Sequence, residues 1–205
     1  MECMGQLETF LHQEKPALPL LIRAGLIHVQ FESIHPFLDG NGRLGRLLIT
    51  FLLCAGALRE PMLYLSLFFK KHRQAYYDLL MGVRTTGNWE AWLEFFLTGV
   101  KETSDQAVNA ARRIIALIDA DRQELEGLGR ASASALRIHQ YAQTHPILSI
   151  ASTAERIGIT FPTVAAAVGH MQRLGILRET TGRRRRRLFA YGAYLDILSE
   201  GTEPM

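Results

Sequence analysis

Apolar residues in the first half of this chain recur at steps of three and four. Leu20, Ala24, Ile27, Phe31 and Ile34 mark one such stripe, and Leu44, Leu47, Leu48, Phe51 and Leu52 a second. Each predicts an amphipathic helix with those side chains turned inward. "GN" stands at the N-terminal side of the second stripe and Pro61 after its end, both usual helix boundaries. The stretch "FKKHRQAYYDLLMGVRTTGNWEAWLEFFLTGV" reads as two more helices broken at "TTGN". A long helix is expected from about Ser104 to Glu126, with Ala107, Ala111, Ile114, Ile118 and Leu125 inward. "GLGRASAS" (127–134), rich in small residues, reads as a linker.

Beyond the linker the texture changes. Leu136–Thr144 predicts a short helix, "PILSI" a short strand, Ser152–Ile157 a second helix, Gly158 a turn and Pro162–Leu174 a third helix. "GILRETTGRRRRRLFAY" then alternates on both sides of "TTG", a hairpin signal. A helix, a helix–turn–helix and a hairpin in this order follow the plan of a winged helix over 135–198.

Composition narrows the setting. The longest apolar run, Leu47–Leu58, is too short to span a bilayer, and the start "MECMGQLE" lacks the basic-then-apolar pattern of a signal peptide. Cys3 and Cys54 lie far apart, which fits a reducing cytoplasm and not a disulfide framework. The net charge of +3 is unevenly spread. Residues 1–128 carry 13 Lys and Arg against 15 Asp and Glu, whereas residues 129–205 carry 10 Arg against 5 Asp and Glu. The basic third points to a polyanionic partner, with a solvated charged face as the plainer reading.

The densest chemistry lies in "HPFLDGNGRLGR" (His35–Arg46). Its glycines match G-x-G-x-x-G, but a dinucleotide loop needs a strand before them and a βαβ unit around them. Here the preceding segment has helix periodicity. What remains is a loop leading into a helix that starts near Asn41. Such a helix end offers unpaired N–H groups and partial positive charge, and glycines admit a ligand close to the backbone. Arg43 and Arg46 are three apart and lie on neighbouring parts of one face. Two guanidiniums beside a backbone nest suit a di- or triphosphate. Asp39 can supply one carboxylate oxygen to Mg²⁺. His35, fixed by Pro36, can remove a proton from an attacking hydroxyl, an effect of roughly 10²–10⁴ in rate. Phe37 is expected to anchor the loop in the core.

This stretch resembles the Fic-domain signature HPF-x-[DE]-GN-[GK]-R-x-x-R at every defined position. The later "YYDLLMGVRTTGNWEAWLEFFLTGV" and the basic C-terminal part are similar to a common bacterial Fic architecture. The resemblance implies a mainly α fold, a Fic-type helical bundle over 1–126 followed by the small α+β winged-helix domain. It implies transfer of AMP from Mg²⁺-bound ATP to a Ser, Thr or Tyr hydroxyl of a protein or of the chain itself. On that basis His35 is the general base, Asp39 the metal ligand, Gly40, Asn41 and Gly42 the anion cradle, and Arg43 and Arg46 the β- and γ-phosphate ligands. Doc-type kinases carry Ala and Lys where Gly40 and Gly42 stand, which favours AMP transfer over phosphorylation. Tyr76 and Tyr77 are candidates for an adenine pocket, with at least one of the two in the core.

Two family features are missing from the sequence. Neither Glu126-Gly127 nor Glu200-Gly201 is preceded at the fourth residue by Ser or Thr, so no inhibitory [ST]-x-x-x-E-[GN] helix is found. The residues before His35 leave no room for a target-docking flap, and the chain reads as N-terminally truncated. The competing function is a winged-helix DNA-binding regulator whose Fic part senses nucleotide or is a relic. Its expected contacts are Arg183, Arg184, Arg185, Arg186 and Arg187, with alternation putting the odd-numbered three on one hairpin face. No membrane partner is expected, and a homodimer is left open.

Overall fold

The computed structural model describes residues 2–13, 17–59 and 63–200. It is mainly α-helical with one small sheet. It divides into two compact units, Met1–Val108 and Asn109–Met205. Pro61, expected after the end of the second apolar stripe, lies outside the described residues.

The first unit holds α1 (Glu2–Leu11), α2 (Leu20–Ile34), α3 (Asn41–Gly56), α4 (Leu65–Lys71), α5 (Arg73–Thr86) and the first half of α6 (Trp89–Glu126). Its core gathers Ala24 and Val29 of α2, Ile49 and Leu53 of α3, Phe69 and Tyr76, and Trp92 and Phe96 of α6. Trp92 is wholly buried and donates its indole N–H to the Gly25 carbonyl at 2.9 Å. That bond satisfies the one polar atom of the largest core side chain. Gly87, left-handed at φ 67°, caps α5 and lets the chain turn into α6.

The α2 stripe packs as its periodicity predicts, with Ala24, Ile27 and Phe31 buried. The α3 stripe does so only in part, with Leu48 and Leu52 packed against the core. Leu44, Leu47 and Phe51 are exposed, and the buried positions are Asn41, Gly45, Ile49 and Leu53. The glycine side of α3 faces α2, because a helix packed this closely needs a surface without side chains. The break within the "FKKHRQ" segment falls at His72, between α4 and α5. The helix after "TTGN" and the long helix from Ser104 are one, α6. Gly99 lies within it, and a Cβ there would press the Phe68 ring.

The second unit continues α6 and adds a 3₁₀ turn (Gly129–Ala131), α7 (Ser132–Thr144), β1 (Ile147–Leu148), α8 (Ile150–Ile157), α9 (Phe161–Arg173), β2 (Leu177–Glu179), β3 (Phe189–Tyr191) and α10 (Gly192–Ser199). The segment expected as a linker therefore contains the 3₁₀ turn and the start of α7. The sheet is antiparallel in the order β1–β3–β2, with Leu148 opposite Phe189 and Leu177 opposite Tyr191. Ser149 caps α8 by accepting the Ser152 N–H, and Thr160 caps α9 by accepting the Thr163 N–H. Leu125, Ile138, Met171, Phe189 and Tyr191 form the core. The Tyr191 hydroxyl donates to Asp121 and pairs with His139 Nε2, tying α6, α7 and β3 together. Among the described residues no helix is long and apolar enough to cross a membrane.

Candidate functional site

The loop between α2 and α3 is built around two unusual backbone positions. His35 caps α2 in the left-handed region at φ 50°, with its N–H bonded to Phe31 O at 3.0 Å. A side-chain-bearing residue there costs on the order of 1–3 kcal/mol, and such strain collects at sites that need a particular orientation. Gly40, at φ 85°, starts α3 in a conformation that favours glycine. Directly after Gly40, buried Asn41 fastens the loop. Its Oδ1 accepts the Phe37 N–H at 2.9 Å, and its Nδ2 donates to the Phe37 carbonyl at 2.6 Å. The Asn41 side chain thus holds the loop. Phe37 is half exposed, its ring tilted toward Phe31 with centroids 6.5 Å apart, and its backbone is held by Asn41, so Asn41 does the anchoring expected of the Phe37 side chain.

The Leu44 N–H, bonded to Gly40 O at 3.0 Å, is the first to close a turn of α3. The N–H groups of Asn41, Gly42 and Arg43 precede it and have no partner within the helix. Arg43 and Arg46, expected to act side by side, point to different neighbours. Arg43 pairs at 3.3 Å with Asp39, whose other oxygen accepts the Gly40 N–H at 2.7 Å. Both partners are largely exposed, so the pair is worth roughly 0–1 kcal/mol and opens readily. Arg46 folds back along α3, its Nη1 beside the bare Gly42 backbone.

Tyr76 and Tyr77 part in the same way. Tyr76 is buried in the core, its hydroxyl 2.9 Å from His28 Nε2. Burial pushes its pKa up, the nearby Glu32 charge adds to this, and the Arg46 guanidinium opposes it. Tyr77 is half exposed, edge-on to Tyr76 and beneath the Arg73 guanidinium. His28 is fully buried between the Phe69 and Trp92 rings. Burial lowers its pKa to about 4, so it is neutral at physiological pH.

Sequence reasoning missed His28 and Glu32. Both stand on α2, four residues apart and hence on one face, opposite Gly42 and Gly45 of α3. Burial raises the Glu32 pKa, opposed first by Arg46 and then by His35. The available signal was the spacing: two titratable groups one turn apart in the second half of α2, ahead of a glycine-faced helix.

In the second unit Arg183–Arg187 lie in the loop between β2 and β3, not on the strands, so the expected two-faced alternation does not arise. The turn is shaped by Glu179, which accepts from the Thr181 and Gly182 N–H groups. The Thr181 hydroxyl, which also donates to it, and then those N–H groups hold its carboxyl below the ordinary range. All five arginines are exposed, and none forms an ion pair among the described residues. Four of them, Arg184–Arg187, line a groove of about 600 Å³ with Ser149, Ile150 and Phe161.

Comparison with known proteins bears on the first unit. Residues 1–53 match the Fic/DOC family. The chain is 33% identical over 103 residues to a protein adenylyltransferase Fic of Culex quinquefasciatus, and 31% identical over 103 residues to one of Aedes aegypti. Each match covers 50% of this chain and 19% of the relative. A Fido domain-containing protein of Dictyostelium discoideum is 54% identical over 44 residues, 22% of this chain and 30% of that one. In three dimensions the chain is similar to a Fic family protein from Desulfovibrio desulfuricans G20, with TM-score 0.51 and 21% identity over 93% of this chain and 54% of the other. Residues 1–53 are thus similar to the Fic/DOC family, the mainly α fold resembles that of the neighbour, and the matched part spans about a fifth of the length of the mosquito relatives.

Proposed function

We propose that this chain transfers AMP from ATP to a Ser, Thr or Tyr hydroxyl, on another protein or on itself. The observation that carries the reading is the α2–α3 loop. In it a strained, exposed histidine, an exposed carboxylate and the open N-terminus of an arginine-bearing helix are set within one stretch fixed by Asn41. The two mosquito relatives, named as protein adenylyltransferases, support the same reaction class.

The chain's own groups divide the work. The N–H groups at the start of α3, between Gly40 and Arg43, donate to the phosphate oxygens, with the helix end adding partial positive charge. Arg43 and Arg46 take the β- and γ-phosphates, Arg43 by leaving its weak pair with Asp39. Asp39, a hard oxygen donor with most of its surface open to solvent, fits Mg²⁺, which commonly takes one carboxylate and the substrate's phosphates. Bound there, the ion would neutralise charge on the phosphate oxygens. His35 removes the proton from the acceptor hydroxyl. The hydroxyl oxygen attacks the α-phosphorus, the bond to the β-phosphate bridging oxygen breaks, and pyrophosphate leaves on the arginines. The proton stays on the His35 imidazole. Tyr77, half exposed on α5, is the one of the two tyrosines with a face free for a base.

The test is the mass of the adduct after incubation with ATP and Mg²⁺. An AMP increment on a hydroxyl residue supports the reading, whereas a phosphate increment alone replaces it with a kinase.

The unpaired arginine loop favours a second proposal for the C-terminal part. On this reading residues 135–198 are a winged helix–turn–helix domain joined through 127–134 to a Fic domain over 1–126, and Arg183–Arg187 meet a DNA backbone. Its setting is the cytoplasm, consistent with free Cys3 and Cys54.

A further inference from the structure

Glu32 lies three residues before His35 on α2, and its carboxyl faces the side of α3 that Gly42 and Gly45 leave bare. A Cβ at Gly45 would overlap Glu32 Oε1 and press His28 Nδ1 at 3.2 Å. A Cβ at Gly42 would stand 3.2 Å from Arg46 Nη1 and 3.9 Å from Glu32 Oε1. Carboxyl and guanidinium therefore share one patch of naked backbone. They are not in contact as an ion pair among the described residues. Oε1 is buried and accepts no hydrogen bond, an arrangement that proteins rarely keep without a reason. The titratable and charged groups around it are His28 and His35 from α2, Arg46 from α3 and Tyr76 from α5.

We propose that Glu32 is a positioning residue for Arg46, the counter-charge that keeps the guanidinium laid along the Gly42–Gly45 face. The inference rests on Arg46 being a phosphate ligand, as set out above. A carboxylate that attracts the guanidinium without forming an ion pair orders a long side chain, and, beyond the donor that the Tyr76 hydroxyl takes, leaves its N–H groups for the incoming anion. Pre-ordering lowers the cost of binding, because a mobile arginine must otherwise be immobilised by the ligand. The same requirement explains two glycines in the first turns of a helix, where alanine would form the helix better. Side chains there would displace either the carboxylate or the guanidinium.

The test compares wild type, Glu32→Gln and Glu32→Asp in the full chain by two readings. The first, without nucleotide, is the ¹⁵N-resolved Arg46 Nε–Hε signal and its exchange with water. Wild type and Glu32→Asp should show a distinct, slowly exchanging signal, and Glu32→Gln an averaged, fast-exchanging one. The second is calorimetric affinity for ATP, with KM and kcat where label transfer is seen. Glu32→Gln should bind about tenfold more weakly, or about 1.4 kcal/mol, through KM with little change in kcat, and Glu32→Asp should stay within about threefold of wild type. Glu32 Oε1 is buried without a hydrogen bond, so Glu32→Gln removes a desolvated charge without breaking a direct bond and should melt no lower than wild type, a reading that a merely structural role would move. An unchanged Arg46 signal in Glu32→Gln, or equal loss in Glu32→Asp, overturns the proposal. Should wild type bind no ATP while the Arg46 signal responds as expected, positioning stands and the phosphate-ligand reading falls.

Discussion

Asn41 offers a sharp test of how the loop is held, because a single buried amide supplies both of its side-chain hydrogen bonds to Phe37. Asn41→Ala removes both. At a net 0.5–1.5 kcal/mol each, the closed loop should lose about 1–3 kcal/mol. Local opening of the Phe37 amide then becomes roughly 5- to 150-fold more frequent, which hydrogen exchange at that amide reads directly. Asn41→Asp sharpens the argument. It keeps an acceptor for the Phe37 N–H but sets a carboxylate oxygen where Nδ2 now stands, 2.6 Å from the Phe37 carbonyl oxygen. At neutral pH two acceptors face each other, so Asp should be worse than Ala. Protonation restores a donor, so protection should recover as pH falls through the carboxyl's titration. Phe37 protection unchanged in Asn41→Ala, or Asp milder than Ala at neutral pH, would refute the reasoning.

Burial of His28, the bare face of α3 and the arginine loop each set a further expectation. His28 takes its proton near pH 4 when folded and near 6.5 when unfolded. The unfolded chain therefore binds more protons between those values, and stability falls by about 3 kcal/mol as pH drops through that window. Urea unfolding followed by Trp92 fluorescence at pH 7 and 4.5 should show this fall shrink in His28→Gln; an equal fall in both proteins would contradict it. Gly45→Ala should destabilise by about 1–3 kcal/mol through overpacking against Glu32 and His28, despite alanine's better helix propensity. The cost should be smaller in a Glu32→Ala background, and a Gly45→Ala chain melting at or above wild type speaks against the close approach. Replacing Arg183–Arg187 with Ser should lower the salt slope of DNA binding by about 0.9 for each DNA phosphate that the loop neutralises, and an unchanged affinity removes the loop from any such interface.

The site was legible where chemistry is carried by residue type and spacing. His35, Asp39, Gly40 and the arginines stand out as a group in any reading of the loop, and helix periodicity sufficed for α2. What the sequence hid was direction. Leu44, Leu47 and Phe51 looked like the packed side of α3 because apolar stripes usually are, yet the glycines marked it, since backbone-to-backbone approach leaves no apolar signal. Gly99 lies inside α6, where its bare backbone makes room for the Phe68 ring. Arg43 and Arg46 share a helical face by spacing but diverge because Asp39 claims one, while the bare patch beside Glu32 receives the other. The arginine run alternates in sequence but not in space, because Glu179 closes the turn before it and the strands resume only at Phe189. Helix α10 was not foreseen, as Gly192 opens it and no side-chain cap marks its start.

The most direct measurement is label transfer from α- and γ-labelled ATP with Mg²⁺, run on wild type and His35→Ala side by side. The account predicts protein-bound label from the α-phosphate only, lowered by roughly 10²-fold or more in His35→Ala. No α-label on any protein, equal label in the two chains, or label from the γ-phosphate instead would contradict it.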